Sequence, residues 1–136
     1  MPATYSRPAV VVSYMAKFVR MIEPNLYYVD NQYTHKHEYL VIAGTSYDHH
    51  YRPNTNFLGN FVDYPSQYVC ITSYGYDRYG RVVGDITALD HIGRLSYKLI
   101  VSGICKWYRG FDANDGIAAG CEQWARVHRN GVWRTK

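Results

Sequence analysis

The feature that most constrains this chain is the point at which its hydrophobic periodicity changes. Up to Leu89, apolar residues mostly come in β-branched and aromatic runs broken by turn residues, whereas a helical recurrence dominates from Leu95 onward. Val10–Ile22 is such a run, long enough for one bent strand or two. Glu23-Pro24-Asn25 reads as a turn, and Leu26–Asp30 with Glu38–Ala43 reads as a hairpin around Asn31. Tyr68–Tyr74 and Arg81–Leu89 read as two further strands. Between them, 44–56 is polar and irregular. Pro53 marks the start of a helix carrying Phe57, Leu58, Phe61 and Val62, which Pro65 ends.

Leu95, Leu99 and Ile100 then form an apolar helical face closed by Gly103. Ile117, Cys121, Trp124, Ala125 and His128 form another, with Asp115 as its cap and Asn130-Gly131 as its stop. Strands, a helix, two strands and two helices in that order predict an α+β fold. The expected architecture is an OB-fold-like barrel of five strands with about three packed helices. The whole chain, 1–136, is expected to be one such domain, with 1–8 as an extended arm.

With 47% hydrophobic and 19% charged residues the composition is globular, which excludes a disordered chain. No run reaches the ~20 apolar residues of a membrane-spanning helix. The net charge of +4 is compatible with a polyanionic partner without requiring one. Cys70, Cys105 and Cys121 are odd in number and contain no CxxC pair, so they read as reduced core residues of an intracellular protein. Residues 1–22 carry Arg7, Lys17 and Arg20 and no acid, a composition shared with import signals of organelles such as the mitochondrion. The same residues read better as strand. Fifteen tyrosines, each with an apolar body and a polar tip, point to surfaces that pack against other protein subunits.

Four stretches in the second half resemble the staphylococcal nuclease family. Asp77-Arg78-Tyr79-Gly80-Arg81 matches a turn that precedes a strand in that family, and Ser96–Cys105 matches a helix ending in glycine. Lys106-Trp107-Tyr108-Arg109-Gly110-Phe111-Asp112 is similar to its aromatic segment, and Ala125-Arg126 with Gly131-Val132-Trp133 to its last helix. The first half fits in outline only. The resemblance implies a nuclease barrel in which carboxylates hold calcium, a glutamate activates water and two arginines bind phosphate.

Carried over residue by residue, that chemistry is degenerate. The metal-binding aspartates fall on Asn25 and Thr45, the glutamate on Asp48, and the strand arginine on Leu40; Arg81 alone keeps its type. No arginine lies between Arg20 and Arg52, and no two carboxylates lie three apart between Glu38 and Asp48. The expectation is therefore no catalytic residue and no cofactor. Arg52, swinging in from its loop, and a transition-metal site from His35, His37, Asp48, His49 and His50 are the two rescues to weigh.

The function expected from these residues is a non-catalytic binding module, an accessory subunit of a larger protein assembly. Its docking candidates are Met1–Arg7, Tyr47–Arg52 and Arg134–Lys136. The alternative is a nucleic-acid-binding module using Arg78, Tyr79, Arg81, Arg94, Lys106, Trp107 and Arg109. A divergent nuclease built on Arg81, Asp48 and the histidines is the third reading.

Overall fold

β1 (Val12–Glu23) is one long strand that serves two neighbours. Its first half pairs with β5 (Tyr68–Tyr76) and its second half with β2 (Leu26–Asn31), both antiparallel. Register shifts between Phe18 and Arg20 and between Met21 and Glu23 let it bend between the two roles. The structure is a computed structural model, and it describes residues 11–53, 67–88 and 93–134. The expected helix at Phe57–Val62, the arm at 1–8 and the docking candidates at 1–7 and 135–136 lie outside the described residues.

The hairpin partner of β2 is β3 (His37–Ile42), and β6 (Val82–Ala88) completes the sheet. The strands close into a barrel in the order β1-β2-β3-β6-β5. β3 and β6 run parallel, with Leu40 opposite Val82 and Ile42 opposite Gly84, while the other barrel pairings are antiparallel. Inside lie Ala16, Phe18, Tyr27, Val29, Leu40, Ile42, Val69, Ile71, Val82 and Ile86. Strand alternation sends Val41, Ala43 and Val83 to the outer face, where they pack with Tyr74 and Phe111. β3 and β6 are thus covered on both faces, which is why they read as unbroken apolar runs.

Helix α1 (Leu95–Val101) packs Leu95 and Leu99 into the barrel core, as its spacing predicts, and Ile100 is also buried. It ends at Gly103, whose φ of +72° is the left-handed conformation expected of a helix-closing glycine. Two short strands, β4 (Thr45–Ser46) and β7 (Lys106–Trp107), pair outside the barrel; the first falls in the stretch expected to be irregular and the second in the aromatic segment.

Helix α2 (Gly116–Val127) starts where expected: the Asp115 carboxylate accepts from the backbone N–H groups of Ile117 and Ala118. Its buried face overlaps the expected one only in part: Ala125 is buried as expected and Cys121 half-buried, but Ile117, Trp124 and His128 are exposed. Ala118, Glu122 and Ala125 face inward, while Ile117, Trp124 and Val127 are more than half exposed. The small alanines allow close packing against α1. Glu122 is tolerated inside because its carboxylate accepts from the Trp107 N–H and from the Arg126 guanidinium. The final 3-10 turn, Gly131–Trp133, is fixed by Val132 N–H donating to the Gly103 carbonyl at 2.9 Å and by Asn130 Nδ2 donating to that of Val101 at 3.1 Å.

All three cysteines are free thiols. Cys105 is buried as expected, and burial raises its pKa, whereas Cys70 and Cys121 are only half-buried. A thiol reagent is therefore expected to label Cys70 and Cys121 in the native protein and Cys105 only on denaturation, as read by mass spectrometry of labelled peptides. Among the described residues no helix is long and apolar enough to cross a membrane.

Candidate functional site

The positions that the nuclease resemblance assigns to metal-binding carboxylates do come together. Asn25, in the β1–β2 turn, and Thr45, at the start of β4, are both buried, and Asn25 Nδ2 donates to Thr45 Oγ1 at 3.3 Å. Thr45 Oγ1 in turn donates to the Ile42 carbonyl, while Ile42 N–H donates to the Asn25 carbonyl. The corner is a closed network of neutral groups. Calcium needs several oxygen ligands with carboxylates supplying much of the affinity, and an amide and a hydroxyl already engaged with one another do not fit it.

The remaining positions are dispersed. Leu40 is fully buried in the barrel, paired opposite Tyr27, where no phosphate reaches. Asp48 is exposed, and its carboxylate accepts from His50 N–H within its own loop. Arg81 is held at the β5–β6 turn, where Nε donates to the Asp77 carboxylate at 2.7 Å. Burial pushes the Asp77 carboxyl up, but the Arg81 and Tyr79 N–H groups and the Arg81 guanidinium outweigh it and hold its pKa below the ordinary value. Arg81 is therefore a turn-closing residue. Arg52, the substitute arginine, donates from Nη1 to the His49 carbonyl.

The histidines do not assemble into a metal centre. His37 opens β3, opposite Asp30, whereas His35, with a φ of +58°, lies in the loop before it, so the two do not share a strand. His49 pairs with Glu23, at the other end of β2. Among the described residues no group of three His, Cys, Asp or Glu side chains could hold a metal ion.

The candidate nucleic-acid residues divide into separate places. Arg78 and Arg81 flank the Tyr79 ring at 4.9 and 5.4 Å from its centroid. Arg94 lies 5.7 Å over Tyr97, at the N-terminus of α1. Arg109 covers Trp107 at 4.8 Å, and Lys106 shares Trp133 with Arg126. Such cation–π contacts are worth about 0.5–1 kcal/mol each at exposed sites. They stabilise the surface locally and occupy ring faces that a base would otherwise stack on.

No protein-family model matches the chain, and no curated protein is significantly similar to it.

Two arrangements were not anticipated from the sequence. Asp85, in β6, is buried, and its carboxylate accepts from the N–H groups of Ile86 and Ser96 and from the Ser96 hydroxyl. It caps α1 across the fold, since Arg94 at the cap position contributes no side-chain bond. Beside it is a cavity of about 20 Å³, room for a water molecule, lined in part by Arg94, Tyr97, Asp112 and Asp115. Burial pushes the Tyr97 hydroxyl up to about 12, helped by its bond to Asp115. The signal in the sequence was a lone acid in the apolar run Val82–Ala88. The second arrangement is a far larger cavity, about 470 Å³, at the barrel end where β1 begins, walled by Tyr14, Tyr33 and Tyr76. Its signal was weaker: tyrosines next to turns.

Proposed function

We propose that this chain is a non-catalytic module on a staphylococcal-nuclease-like OB barrel, serving as an accessory subunit of a larger protein assembly. Barrel order and the parallel pair β3–β6 support the OB reading, as does a helix pair following the last barrel strand. The closed Asn25–Thr45 network, the buried Leu40 and the engaged Arg81 support loss of catalysis. Three free thiols accord with an intracellular setting.

The observation that carries the subunit reading is the outward stripe of α2. Ile117 is 62% exposed, Trp124 54% and Val127 64%, on a helix that already buries its opposite side. Large apolar groups exposed along one side of a helix are candidates for an interaction site, and a tryptophan, here stacked on His128, is the residue type that most often dominates binding energy. The loop Tyr47–Arg52, by contrast, is knit to itself: Tyr47 donates to the Tyr51 carbonyl and Arg52 to that of His49.

Native mass spectrometry on material from the source cell tests this reading. The expected mass is well above the 15.8 kDa of the chain, and Trp124→Asp is expected to release the chain as a monomer with little change in thermal midpoint. A wild-type protein that runs as a free monomer overturns the subunit reading. Single-stranded DNA and RNA incubated with the protein at high calcium are expected to stay intact; cleavage that Arg81→Ala abolishes overturns the non-catalytic reading.

A further inference from the structure

The tyrosine-walled cavity lies away from the degenerate nuclease corner. Asn25 and Thr45 sit near the Leu26–Val41 end of the β2–β3 ladder, whereas the cavity includes Asn31 and Tyr33, at and beyond its Asp30–His37 end. Its three tyrosines come from three elements: Tyr14 from β1, Tyr33 from the β2–β3 loop and Tyr76 from the end of β5. Local structure presents them. Asn31 Oδ1 accepts from the N–H groups of Tyr33 and Thr34 and fixes the turn. A register shift between Ser73 and Gly75, where Gly75 has a φ of +127°, interrupts the alternation of β5, and both Ser73 and Tyr76 line the cavity. Tyr14 is half-buried, whereas Tyr33 and Tyr76 are exposed. At about 470 Å³ the cavity falls within the size range of small-molecule sites.

Charge decides what it takes. The Glu38 carboxylate is bonded to two of the cavity's wall residues: Oε1 accepts from the Tyr14 hydroxyl at 2.8 Å and Oε2 from Asn31 Nδ2 at 3.3 Å. Among the described residues no Lys, Arg or His side chain pairs with Glu38, and none lines the cavity. Lys36 is exposed in the same loop but is not a wall residue, and Arg78, in the turn after Tyr76, is engaged by the hydroxyl and ring of Tyr79. Burial, with the Glu38 bond added, raises the Tyr14 hydroxyl's pKa, so Tyr14 keeps its proton and goes on donating. A phenol that donates to a carboxylate has a more electron-rich ring. Among the described residues no cation lies over Tyr14, Tyr33 or Tyr76, unlike Tyr79, Tyr97 and Trp107.

The cavity thus combines aromatic walls with one negative charge that has no counter-charge. An anion is repelled by Glu38. A metal ion finds no ligand set, since both Glu38 oxygens already accept hydrogen bonds and no metal-holding group exists among the described residues. A primary ammonium is strongly hydrated and needs acceptors for three N–H groups. A quaternary ammonium needs none; it is weakly hydrated, and aromatic faces are its preferred surroundings.

We propose that this cavity is an aromatic cage for a quaternary ammonium head group, held among Tyr14, Tyr33 and Tyr76 with Glu38 as its counter-charge. The site is independent of the α2 stripe and does not rest on the subunit reading.

Proton NMR titration of the full chain tests the proposal, with choline and its neutral isostere 3,3-dimethylbutan-1-ol as probes. The N-methyl resonance of choline is expected to move upfield saturably, as protons over ring faces do, and the isostere is expected to bind more weakly. Tyr33→Ala and Tyr76→Ala are each expected to weaken choline binding by about 2- to 30-fold, the range of one cation–π contact, while Tyr33→Phe and Tyr76→Phe retain it. Glu38→Gln is expected to weaken choline by about 5-fold or more and to leave the isostere unchanged, because the Coulomb attraction alone is lost. Both mouth tyrosines are exposed, so unchanged thermal midpoints confirm that their variants fold. A short peptide carrying trimethyl-lysine, against the same peptide with unmodified lysine, supplies the head group from a second source. Tighter binding of choline assigns it to a free small molecule and tighter binding of the trimethylated peptide to a modified protein chain; either supports the cage. No saturable binding of choline or of the trimethylated peptide up to about 10 mM overturns the proposal. So does equal binding of choline and the isostere, or choline affinity indifferent to both tyrosine-to-alanine substitutions.

Discussion

Gly103→Ala is expected to destabilise the protein by about 2–5 kcal/mol. The left-handed conformation accounts for roughly 1–2 of this and overpacking for about 1–3. A Cβ on Gly103 would lie 2.1 Å from the Asn130 carbonyl oxygen and 2.5 Å from its carbon, and Gly103 has a φ of +72°. Neither atom belongs to a flexible side chain, so relief requires the Gly131–Trp133 turn to move off the end of α1. Gly131 faces the same contact from the other side, with its own Cβ position 2.2 Å from the Gly103 oxygen and a φ of +54°. Urea denaturation of both single variants and the double checks the argument. The double variant is expected to lose clearly less than the sum, because either substitution breaks the one contact. Gly120→Ala is the control: that position, in mid-α2, meets open space, and the change is expected to stabilise by about 0.5–1 kcal/mol. Additive losses at Gly103 and Gly131 would falsify the shared contact.

The second large effect is expected at Asp85. Asp85→Ala removes the acceptor for two N–H groups and a hydroxyl in a buried place, and each donor left unsatisfied costs about 1–3 kcal/mol. Against a total stability of about 5–15 kcal/mol, that is enough to unfold a large fraction of the chain at moderate temperature. Asp85→Asn separates the charge from the bonds. Burial pushes the Asp85 carboxyl up to about 6, against the pull of the Ser96 and Ile86 hydrogen bonds and of Arg94. With a folded pKa above the unfolded value, the native state takes up a proton more readily than the unfolded chain. The stability this group contributes is fully present below the unfolded value near 3.8 and is lost as pH rises through about 6. The wild type is therefore expected to gain on Asp85→Asn, by order of 2–3 kcal/mol, between pH 7 and pH 4. Chemical denaturation of both proteins across that range measures it, and a constant difference between them would show that the carboxyl titrates normally.

Much of the barrel was legible because its determinants are local. The turn at Pro24-Asn25, the Asn31 loop, whose side chain accepts from the Tyr33 and Thr34 N–H groups, and the glycine at the end of α1 each declare themselves within a few residues. The β4–β7 pair was not legible, since two-residue strands have no period and their partners lie in opposite halves of the chain. The buried face of α2 was misread for a physical reason. Hydrophobic size pointed to Ile117 and Trp124 beside Ala125, but close approach to α1 keeps Ala125 and selects Ala118, and a hydrogen-bonded Glu122 can be buried between them. At the site, the juxtaposition of Asn25 with Thr45 follows from the nuclease resemblance alone; nothing in the spacing of an asparagine and a threonine declares it. The open rings of Tyr33 and Tyr76 depend on where two loops end in space, and fifteen tyrosines gave no means to single them out.

The parallel pair β3–β6 has a kinetic consequence. β6 is the last barrel strand to be synthesised, yet it fills the gap between β3 and β5 and supplies the partner of both. Until it arrives, a nascent chain has a meander whose two outer strands each present an unpaired edge of backbone N–H and carbonyl groups. Such edges recruit other strands, and pairing across a long stretch of chain is slow to form. On the ribosome the barrel cannot close before β6 has emerged, so a chain interrupted between β5 and β6 exposes two sticky edges. Shielding by a chaperone matters most during that interval of synthesis.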